Sequence, residues 1–202
     1  MKALFSTAYL PPIAYFAAMA KQEEVLIETK ETFPKQTYRN RAVIMTAGGV
    51  RTLTVPVIRT NHSRTEEVII DYKERWNIIH LRTITAAYSA SPYFLYYKDG
   101  LEALLTRRFD RIIDLNQALL DWCLSKLKID CNIELTTDWH APSNEPKDFR
   151  NAFSPKKTDS SVKHNPYYQV FSDRMPFTPN LSIIDLLMNL GPEAKRYIEG
   201  IV

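Results

Sequence analysis

The sequence predicts a single α/β domain with a mixed sheet: an N-terminal strand–helix–strand unit, a β-hairpin and a helical C-terminal half. The first observation is a buried strand, a helix that starts with prolines, and a second strand, all within residues 2–27. The second is a glycine-rich turn between two apolar runs in residues 42–57, which is typical of a hairpin. The third is a stripe of apolar and aromatic residues at four-residue spacing from Trp76 to Tyr88. At 202 residues the chain has the length of one domain, and we expect residues 1–202 to form it.

The N-terminal unit begins with a short buried strand at residues 2–8. Pro11 and Pro12 suit the first turn of a helix, where a missing N–H leaves no hydrogen bond unmade, and this helix is predicted to run to about Ala20. A second strand follows at residues 25–27. Because ligands of open α/β sheets bind beyond the carboxyl ends of strands, the residues after both strands are candidates for a site.

The predicted hairpin pairs residues 42–45 with residues 50–57 across the turn Ala47-Gly48-Gly49. A charged loop at 58–65 and a short strand at 68–70 follow it.

Three helices are predicted in the next part of the chain. The four-residue stripe marks a helix that ends near Ala90, and a second helix covers 94–106. Asp114 and Gln117 have the spacing of a capping box, which predicts a third helix that starts there and runs to about Leu127.

The C-terminal part contains a long irregular segment. A strand is predicted at 133–137, and about 138–179 carries six prolines and many polar residues, which is typical of a functional or mobile connection. Ser182 and Asp185 are spaced to cap a short helix, and Gly191-Pro192 is predicted to end that helix and to begin the last one.

Composition excludes several classes of function. Hydrophobic residues make up 45% and charged residues 24%, as in ordinary globular proteins, and the net charge of +3 is too small to indicate a nucleic-acid partner. No apolar run approaches the roughly 20 residues that span a bilayer. Cys123 and Cys131 lack the spacing of a metal or redox motif and indicate free thiols, so we expect a cytoplasmic protein. Nothing in the sequence indicates an oligomeric state.

No cofactor signature is present in the sequence. It contains no GxGxxG, phosphate-binding GK[ST] or GxSxG motif, and its four histidines lie at spacings that match no metal site. We therefore predict neither a cofactor nor a metal.

Two segments rich in polar and aromatic side chains, residues 6–15 and 35–41, follow the first two strands. Guanidinium and ammonium groups suit a phosphate or carboxylate, and tyrosine rings suit a base or a sugar. The predicted partner is an anionic small molecule such as a nucleotide, a sugar nucleotide or an amino acid, in a pocket partly covered by the helix after residue 75. The candidate ligand-binding residues are Ser6, Thr7, Tyr9, Tyr15, Lys35, Tyr38, Arg39, Asn40, Arg41, Trp76 and His80.

These candidate residues also have a structural interpretation. The cations of residues 35–41 are alternatively paired with Glu28 or Glu31 on a solvated loop. The tyrosines alternatively pack in or around the core, and His80, on the apolar face of its helix, is alternatively a hydrogen-bonded structural histidine. No catalytic residue is assigned, and the two side chains considered for acid–base chemistry are His80 and Asp173.

Several motifs occur in an order that is specific in combination although each is weak alone. Arg39-Asn40-Arg41 is followed by Leu53-Thr54-Val55-Pro56-Val57. Four others are Tyr9-Leu10-Pro11, Tyr15-Phe16, Trp76…His80…Thr83-Ile84…Tyr88 and Ser91-Pro92-Tyr93-Phe94. Over about the whole chain this order resembles the WbqC-like protein family, and residues 167–171 and 179–187 resemble one subgroup of it.

The resemblance implies a function in the synthesis of cell-surface polysaccharides. Members of that family occur in clusters for O-antigen and other surface polysaccharides, and a role as a glycine or other aminoacyl transferase to an amino sugar has been suggested for it. On that resemblance, Lys35, Asn40 and Arg41 would hold the phosphate of a sugar nucleotide or the carboxylate of an activated acid, with Tyr9 and Tyr38 against the sugar or base. The expected function is a transferase of surface polysaccharide biosynthesis.

Two departures from the family pattern favour an alternative. Most members have a Gln-Pro pair where this chain has Ser6-Thr7, and many have an Asp pair where it has Ile27-Glu28-Thr29. If those polar groups are catalytic, the chain is instead a non-catalytic binding or scaffold protein that has lost the family's activity. A third idea, nucleotidyl transfer, rests on the strand–turn–helix opening alone, and the chain lacks the His-x-x-His motif of such domains.

Overall fold

Helices alternate with a parallel sheet and two antiparallel strand pairs along the chain, in the mixed α/β arrangement that the sequence predicts. This computed structural model describes residues 2–142, 146–156 and 163–201. The strands are β1 (Lys2–Ser6), β2 (Glu24–Glu28), β3 (Arg41–Thr46), β4 (Gly49–Thr54), β5 (Val57–Ile58), β6 (Ile69–Ile70), β7 (Asn132–Leu135) and β8 (Lys147–Asp148). The helices are α1 (Ile13–Met19), α2 (Trp76–Tyr88), α3 (Phe94–Thr106), α4 (Ile112–Leu127), α5 (Ile183–Leu190) and α6 (Ala194–Gly200).

The parallel sheet has the strand order β7-β2-β1-β8. β1 lies between β2, which follows it in the chain, and β8, which comes much later. The strand order therefore changes direction beside β1, which is where open α/β sheets bind ligands. All four carboxyl ends lie at the same edge of the sheet.

The predicted strand–helix–strand unit is present as β1, α1 and β2. The fold buries most of its apolar side chains. Residues Ala3–Phe5 of β1 are almost fully buried, as expected of a strand covered on both faces. Leu10, also fully buried, has a left-handed backbone conformation with φ +41°. α1 begins after Pro12, and its Ala14 N–H donates to the Asn180 Oδ1 at 2.9 Å. A distant part of the chain thus supplies the helix cap.

The hairpin β3–β4 is confirmed, and its two faces differ. Ala42 and Ile44 face the core together with Leu53 of β4, and each is at most 2% exposed. Val43 and Val50 lie on the other face, because side chains alternate along a strand. Gly49 has φ +100°, a conformation that favours glycine in the turn. Beyond the hairpin, β5 and β6 form a short antiparallel pair.

The predicted capping box at Asp114 and Gln117 is wrong. α4 begins at Ile112, and Asp114 lies within its first turn rather than capping it. Gln117 donates instead to Asp121 at 2.8 Å, one turn ahead. The start is determined by a tertiary contact, since the Ile112 N–H donates to the Val68 carbonyl at 3.0 Å. The other helices agree with the predicted spans.

The predicted cap of α5 by Ser182 is also wrong, although the helix is present. The helix begins directly after Ser182 as predicted, but the Ser182 hydroxyl does not cap it and donates to the Leu10 carbonyl at 2.7 Å. Asp185 is fully buried and accepts hydrogen bonds from Tyr88, Tyr167 and the Gln169 amide. These contacts attach the chain around 167–169 to the core.

The predicted irregular segment of about 138–179 contains one strand that the sequence analysis missed. This strand, β8, pairs with β1. Phe149 directly follows β8, and its N–H donates to the Leu4 carbonyl at 2.7 Å. Residues 143–145 and 157–162 of this segment lie outside the described residues. Buried apolar side chains from the sheet, the hairpin and the helices form one cluster. Within the described parts of the chain, every helix is too short or too polar to cross a membrane.

Candidate functional site

The carboxyl edge of the parallel sheet holds a buried ionic network. Glu28, at the end of β2, is 0% exposed. It accepts hydrogen bonds from the Lys30 N–H, the Thr136 hydroxyl, the His140 N–H and Arg150 Nη1, at 2.9, 2.9, 3.0 and 3.3 Å. A buried carboxylate with four donors is fully solvated by the protein itself, so Glu28 stabilises this edge.

Two arginines complete the network. Arg39 donates twice to Glu31, with both distances 2.7 Å, and once to the Arg150 carbonyl. Arg150 donates to both carboxylate oxygens of Asp148, and this hydrogen bonding lowers the Asp148 pKa. With Glu28 the network has three carboxylates and two guanidinium groups, so it is not basic. The predicted pairing of a loop cation with Glu31 is what the structure has for Arg39.

The residues that end β1 are buried and hydrogen-bonded. The Ser6 carbonyl accepts from the Tyr15 hydroxyl at 2.9 Å, and burial raises the Tyr15 pKa. The Thr7 hydroxyl accepts from Asn116 Nδ2 at 3.1 Å, and the same amide donates to the Arg39 carbonyl at 2.8 Å. Asn116 on α4 thereby joins the two loops that the sequence analysis singled out.

A second buried group consists of Tyr9, Trp76 and His80. The Tyr9 hydroxyl and His80 Nδ1 are 2.9 Å apart, and the Trp76 ring lies edge-on to both rings. Burial lowers the His80 pKa to about 4, while a backbone hydrogen bond at Thr54 acts in the opposite direction. His80 is therefore neutral at pH 7, and its surroundings are those of a structural histidine.

A cleft of about 370 Å³ opens on the outer face of the hairpin. Its walls are Tyr38, Val43, Val50, Pro155-Lys156, His164 and Thr178–Leu181. It brings together the loop before β3, the hairpin and three stretches of the irregular segment. The cleft combines a cation, an imidazole, an amide, a hydroxyl and an aromatic ring on an apolar surface, which is the composition of a small-molecule site.

Arg41, the first residue of β3, lies on the same face of the hairpin as the cleft residue Val43. It is two residues before Val43, so its side chain leaves the strand on the side that forms the cleft wall. Its Nε is buried and has no hydrogen-bond partner among the described residues. Of the two arginines in the predicted clamp, Arg41 is the one not bound to a carboxylate in the described structure.

The C-terminal wall of the cleft is held rigidly. Asn180 uses Oδ1 to cap α1, which leaves its amide nitrogen without a partner in the described residues. Thr178, two residues before Asn180, is held by two hydrogen bonds to the Gln169 side chain. The Gln169 amide accepts from the Thr178 N–H at 3.0 Å and donates to the Thr178 carbonyl at 2.9 Å. A positioned amide donor thus faces a concave surface.

The remaining candidates lie elsewhere. Lys35 is exposed on the loop and does not line the cleft. Asn40 is buried, and its amide donates to the Val55 carbonyl at 2.9 Å. Asp173 is on the surface beside Arg174, at 3.1 Å, with both side chains more than 60% exposed. Asp173 is not among the residues that line the cleft.

Lys156, His164, Thr178 and Asn180 are cleft residues that the sequence analysis missed. The first three belong to the irregular segment and Asn180 directly follows it, and no periodic pattern there shows which side chains point inward. Only Asn180 carried a signal, through its place in one of the motifs of the resemblance. Among the described residues, no group of three or more His, Cys, Asp or Glu side chains is arranged to hold a metal ion.

Comparison with known proteins gives a family but no activity. The family model described as "WbqC-like protein family" matches residues 7–152 and 150–197. A curated relative, the "Uncharacterized protein Rv1507c" of Mycobacterium tuberculosis (strain ATCC 25618 / H37Rv), is 25% identical over 226 residues, which covers 97% of this chain and 96% of the relative. No solved structure matches the chain significantly. On the match across nearly its whole length, the chain belongs to the WbqC-like protein family.

Proposed function

We propose that the protein is a transferase of surface polysaccharide biosynthesis, of the O-antigen type, and that it binds an anionic, activated donor in the cleft. The observation that carries this proposal is the cleft itself, with Tyr38 and the hairpin on one side and Lys156, His164 and Asn180 on the other. Its volume of about 370 Å³ is within the range of small-molecule sites.

Charge and shape favour an anionic ligand with an aromatic or sugar part. Lys156 lines the cleft, and Arg41, although it is not a lining residue, lies on the hairpin face that forms the cleft wall. Both supply positive charge, and guanidinium and ammonium groups both bind phosphate or carboxylate. The Tyr38 ring offers a surface for a base or sugar ring. The amide nitrogen of Asn180 is a donor held in place by its bond to Ala14. Nucleotides, sugar nucleotides and activated amino acids all meet these requirements.

His164 supplies the cleft with an imidazole, the side chain most often used for proton transfer in catalysis. In aminoacyl transfer, the amine of an acceptor sugar attacks the acyl carbon, the bond to the leaving group breaks, and the amine loses a proton. We assign that proton to His164, since His80 is buried against Tyr9. We place the reaction in the cytoplasm, where nucleotide-linked donors are made.

The experiment is a thermal-shift screen of the purified chain against nucleotides, sugar nucleotides and amino acids. A ligand at about 100 times its dissociation constant adds roughly 2.7 kcal/mol of stability, which is easily detected. The hit is then titrated against Arg41→Gln and Lys156→Gln, each of which we expect to weaken binding about tenfold or more because a charge-assisted bond is lost.

Arg174→Gln is the matched control, because it removes a surface guanidinium that is 75% exposed and lies outside the cleft lining. Its affinity should equal that of the unmodified chain. A hit that binds equally well to Arg41→Gln and Lys156→Gln would remove the cleft from the proposal.

A second candidate function is a non-catalytic binding protein. Aromatic side chains on or beside the irregular segment favour it, since Trp139 is 58% and Tyr168 57% exposed, and exposed aromatics are enriched in protein interfaces. Two results together would favour this function. No ligand of the panel would shift the thermal unfolding, and the chain would capture a specific protein that neither Trp139→Ala nor Tyr168→Ala captures.

A further inference from the structure

A groove lies on the opposite face of the hairpin from the cleft, between the β3–β4 turn and α2. It has a volume of about 330 Å³. Val50 lines the cleft, and the next residue, Arg51, lines the groove, because successive side chains of a strand point to opposite faces. The two concave surfaces share the hairpin as a wall but have no lining residue in common.

The groove is positively charged. Arg51 approaches from β4 and Arg82 from α2, and none of the residues that line the groove is acidic. Within the part of the chain that the structure describes, neither guanidinium has an ion-pair partner. Two like charges that face one concave surface repel each other unless an anion lies between them.

The hydroxyl groups of the groove are ready to accept hydrogen bonds. Thr46 donates its hydroxyl proton to the Gly49 carbonyl, and Thr83 donates its own to the Ile79 carbonyl, each at 2.8 Å. Both Oγ atoms therefore keep lone pairs for a donor on a ligand. A ligand that carries both negative charge and hydroxyl groups would use the guanidinium groups and these oxygens together.

The rest of the lining is small and aliphatic. It consists of a glycine and three alanines, including Ala86 on α2. A compact carbon skeleton can lie close against such a surface. Among the described residues no aromatic ring lines the groove, so it offers no aromatic face to a nucleobase.

We propose that this groove binds a small phosphorylated polyhydroxy compound of the sugar phosphate class. Arg51 and Arg82 hold the phosphate, the sugar hydroxyls donate to Thr46 and Thr83, and the carbon skeleton packs on the alanines. The site is separate from the proposed donor cleft and does not depend on it.

The test is a titration of the isotopically labelled chain with glucose 1-phosphate, followed by the backbone amide signals of the glycines. The chain has five glycines, and their signals are well separated in such spectra. Gly48 lines the groove and Gly49 follows it in the chain, so both signals should shift, whereas Gly100, Gly191 and Gly200 are outside the lining, serve as internal controls and should not shift.

Variants separate this site from the cleft. Arg51→Gln and Arg82→Gln should each weaken glucose 1-phosphate about tenfold or more, because each loses a charge-assisted contact. Ala86→Leu should weaken it by filling the groove while both charges stay in place. Arg174→Gln, on the surface, should leave the affinity unchanged. Unchanged thermal unfolding without ligand shows that each variant is folded.

Several results would overturn the proposal. Equal affinity for inorganic phosphate and glucose 1-phosphate would mean an adventitious ion only, and tighter binding of adenosine monophosphate would contradict the sugar phosphate class. Shifts confined to other glycines, or the absence of any shift, would remove the groove as a site. Binding lost in Arg41→Gln but kept in Arg51→Gln would assign the ligand to the cleft, which refutes this site and favours the proposed function.

Discussion

Tyr9 and His80 form a hydrogen bond that water cannot replace. Tyr9 is 0% and His80 4% exposed. The backbone bond at Thr54 raises the His80 pKa, which indicates that the imidazole donates there and that Nδ1 accepts from the Tyr9 hydroxyl. Both the charge state and the tautomer of His80 are thus determined by its neighbours.

Removal of the tyrosine hydroxyl should destabilise the fold. In Tyr9→Phe the buried Nδ1 of His80 loses its donor, which we expect to lower the free energy of unfolding by about 1–3 kcal/mol in urea denaturation. Tyr168→Phe is the matched control, because Tyr168 is 57% exposed, and it should change stability by less than about 0.5 kcal/mol. Equal effects of the two variants would contradict this account of His80.

The His80 pKa also predicts how stability depends on pH. Its value of about 4 in the folded chain is below the ordinary value of 6.5, so the unfolded state binds the proton more readily. The contribution of His80 is therefore fully present above pH 6.5 and is lost as the pH falls towards 4, by roughly 3 kcal/mol in total and about 2 kcal/mol by pH 5.

The measurement is denaturation of the unmodified chain and of His80→Gln at pH 7 and pH 5. We expect the loss between the two pH values to be smaller in His80→Gln. Asp185, whose pKa burial raises, contributes with the opposite sign, but it is present in both chains and cancels in the comparison. The same pH dependence in both chains would refute the assignment.

Arg39 and Arg41 mark the limit of sequence reasoning at this scale. They are two residues apart and chemically identical, yet Arg39 is ion-paired with Glu31, whereas Arg41 lies on the hairpin face that forms the cleft wall. The sequence did indicate a cationic loop near the strand ends. It could not assign the two side chains, because Glu31 reaches Arg39 only after the loop has closed.

Among the elements, β8 depends most on a few polar contacts. It has two residues and no apolar pattern of its own, so periodicity could not predict it. It is held against β1 by two backbone positions and by Arg150, which binds both Asp148 and the buried Glu28. Longer elements with regular apolar spacing, such as α2 and the hairpin, were predicted because their own residues specify them.

Loss of Arg150 should therefore be costly. Arg150→Ala leaves Glu28, which is 0% exposed, without its charged partner, and we expect a loss of about 3–5 kcal/mol in urea denaturation. Arg174→Ala removes an arginine of a surface pair whose side chains are 75% and 64% exposed, and it should cost less than about 1 kcal/mol. A small effect of Arg150→Ala would show that the three remaining donors to Glu28 are sufficient without this cation.

At the scale of the whole molecule, the loop after β1 is completed by the chain around residue 181. Ile13 donates to the Leu181 carbonyl, Ile183 donates to the Pro11 carbonyl, and Asn180 caps the helix between them. These contacts were not predictable, since nothing local in residues 9–14 indicates a partner so far along the chain. They place Asn180 in the cleft and at the helix cap together.

Two variants of Asn180 separate its roles. Asn180→Gly keeps the left-handed backbone, φ +56°, but loses the cap, and should cost about 1 kcal/mol in urea denaturation. Asn180→Ala loses the cap and also strains the backbone, and should cost about 0.5–1 kcal/mol more. If alanine is no worse than glycine, the backbone of this position is not constrained as described.

The closure of the β1 loop by residues 180–183 also has a consequence for biosynthesis. The Leu10 carbonyl and the Ser182 hydroxyl that binds it are separated by 172 residues, so the ribosome makes one long before the other. Until translation passes residue 183, the hydrogen bonds that support the left-handed Leu10 and cap α1 in the folded chain cannot form. We therefore expect the N-terminal unit to complete its folding only after residues 180–183 have been made, because some of its hydrogen-bond partners are in that segment.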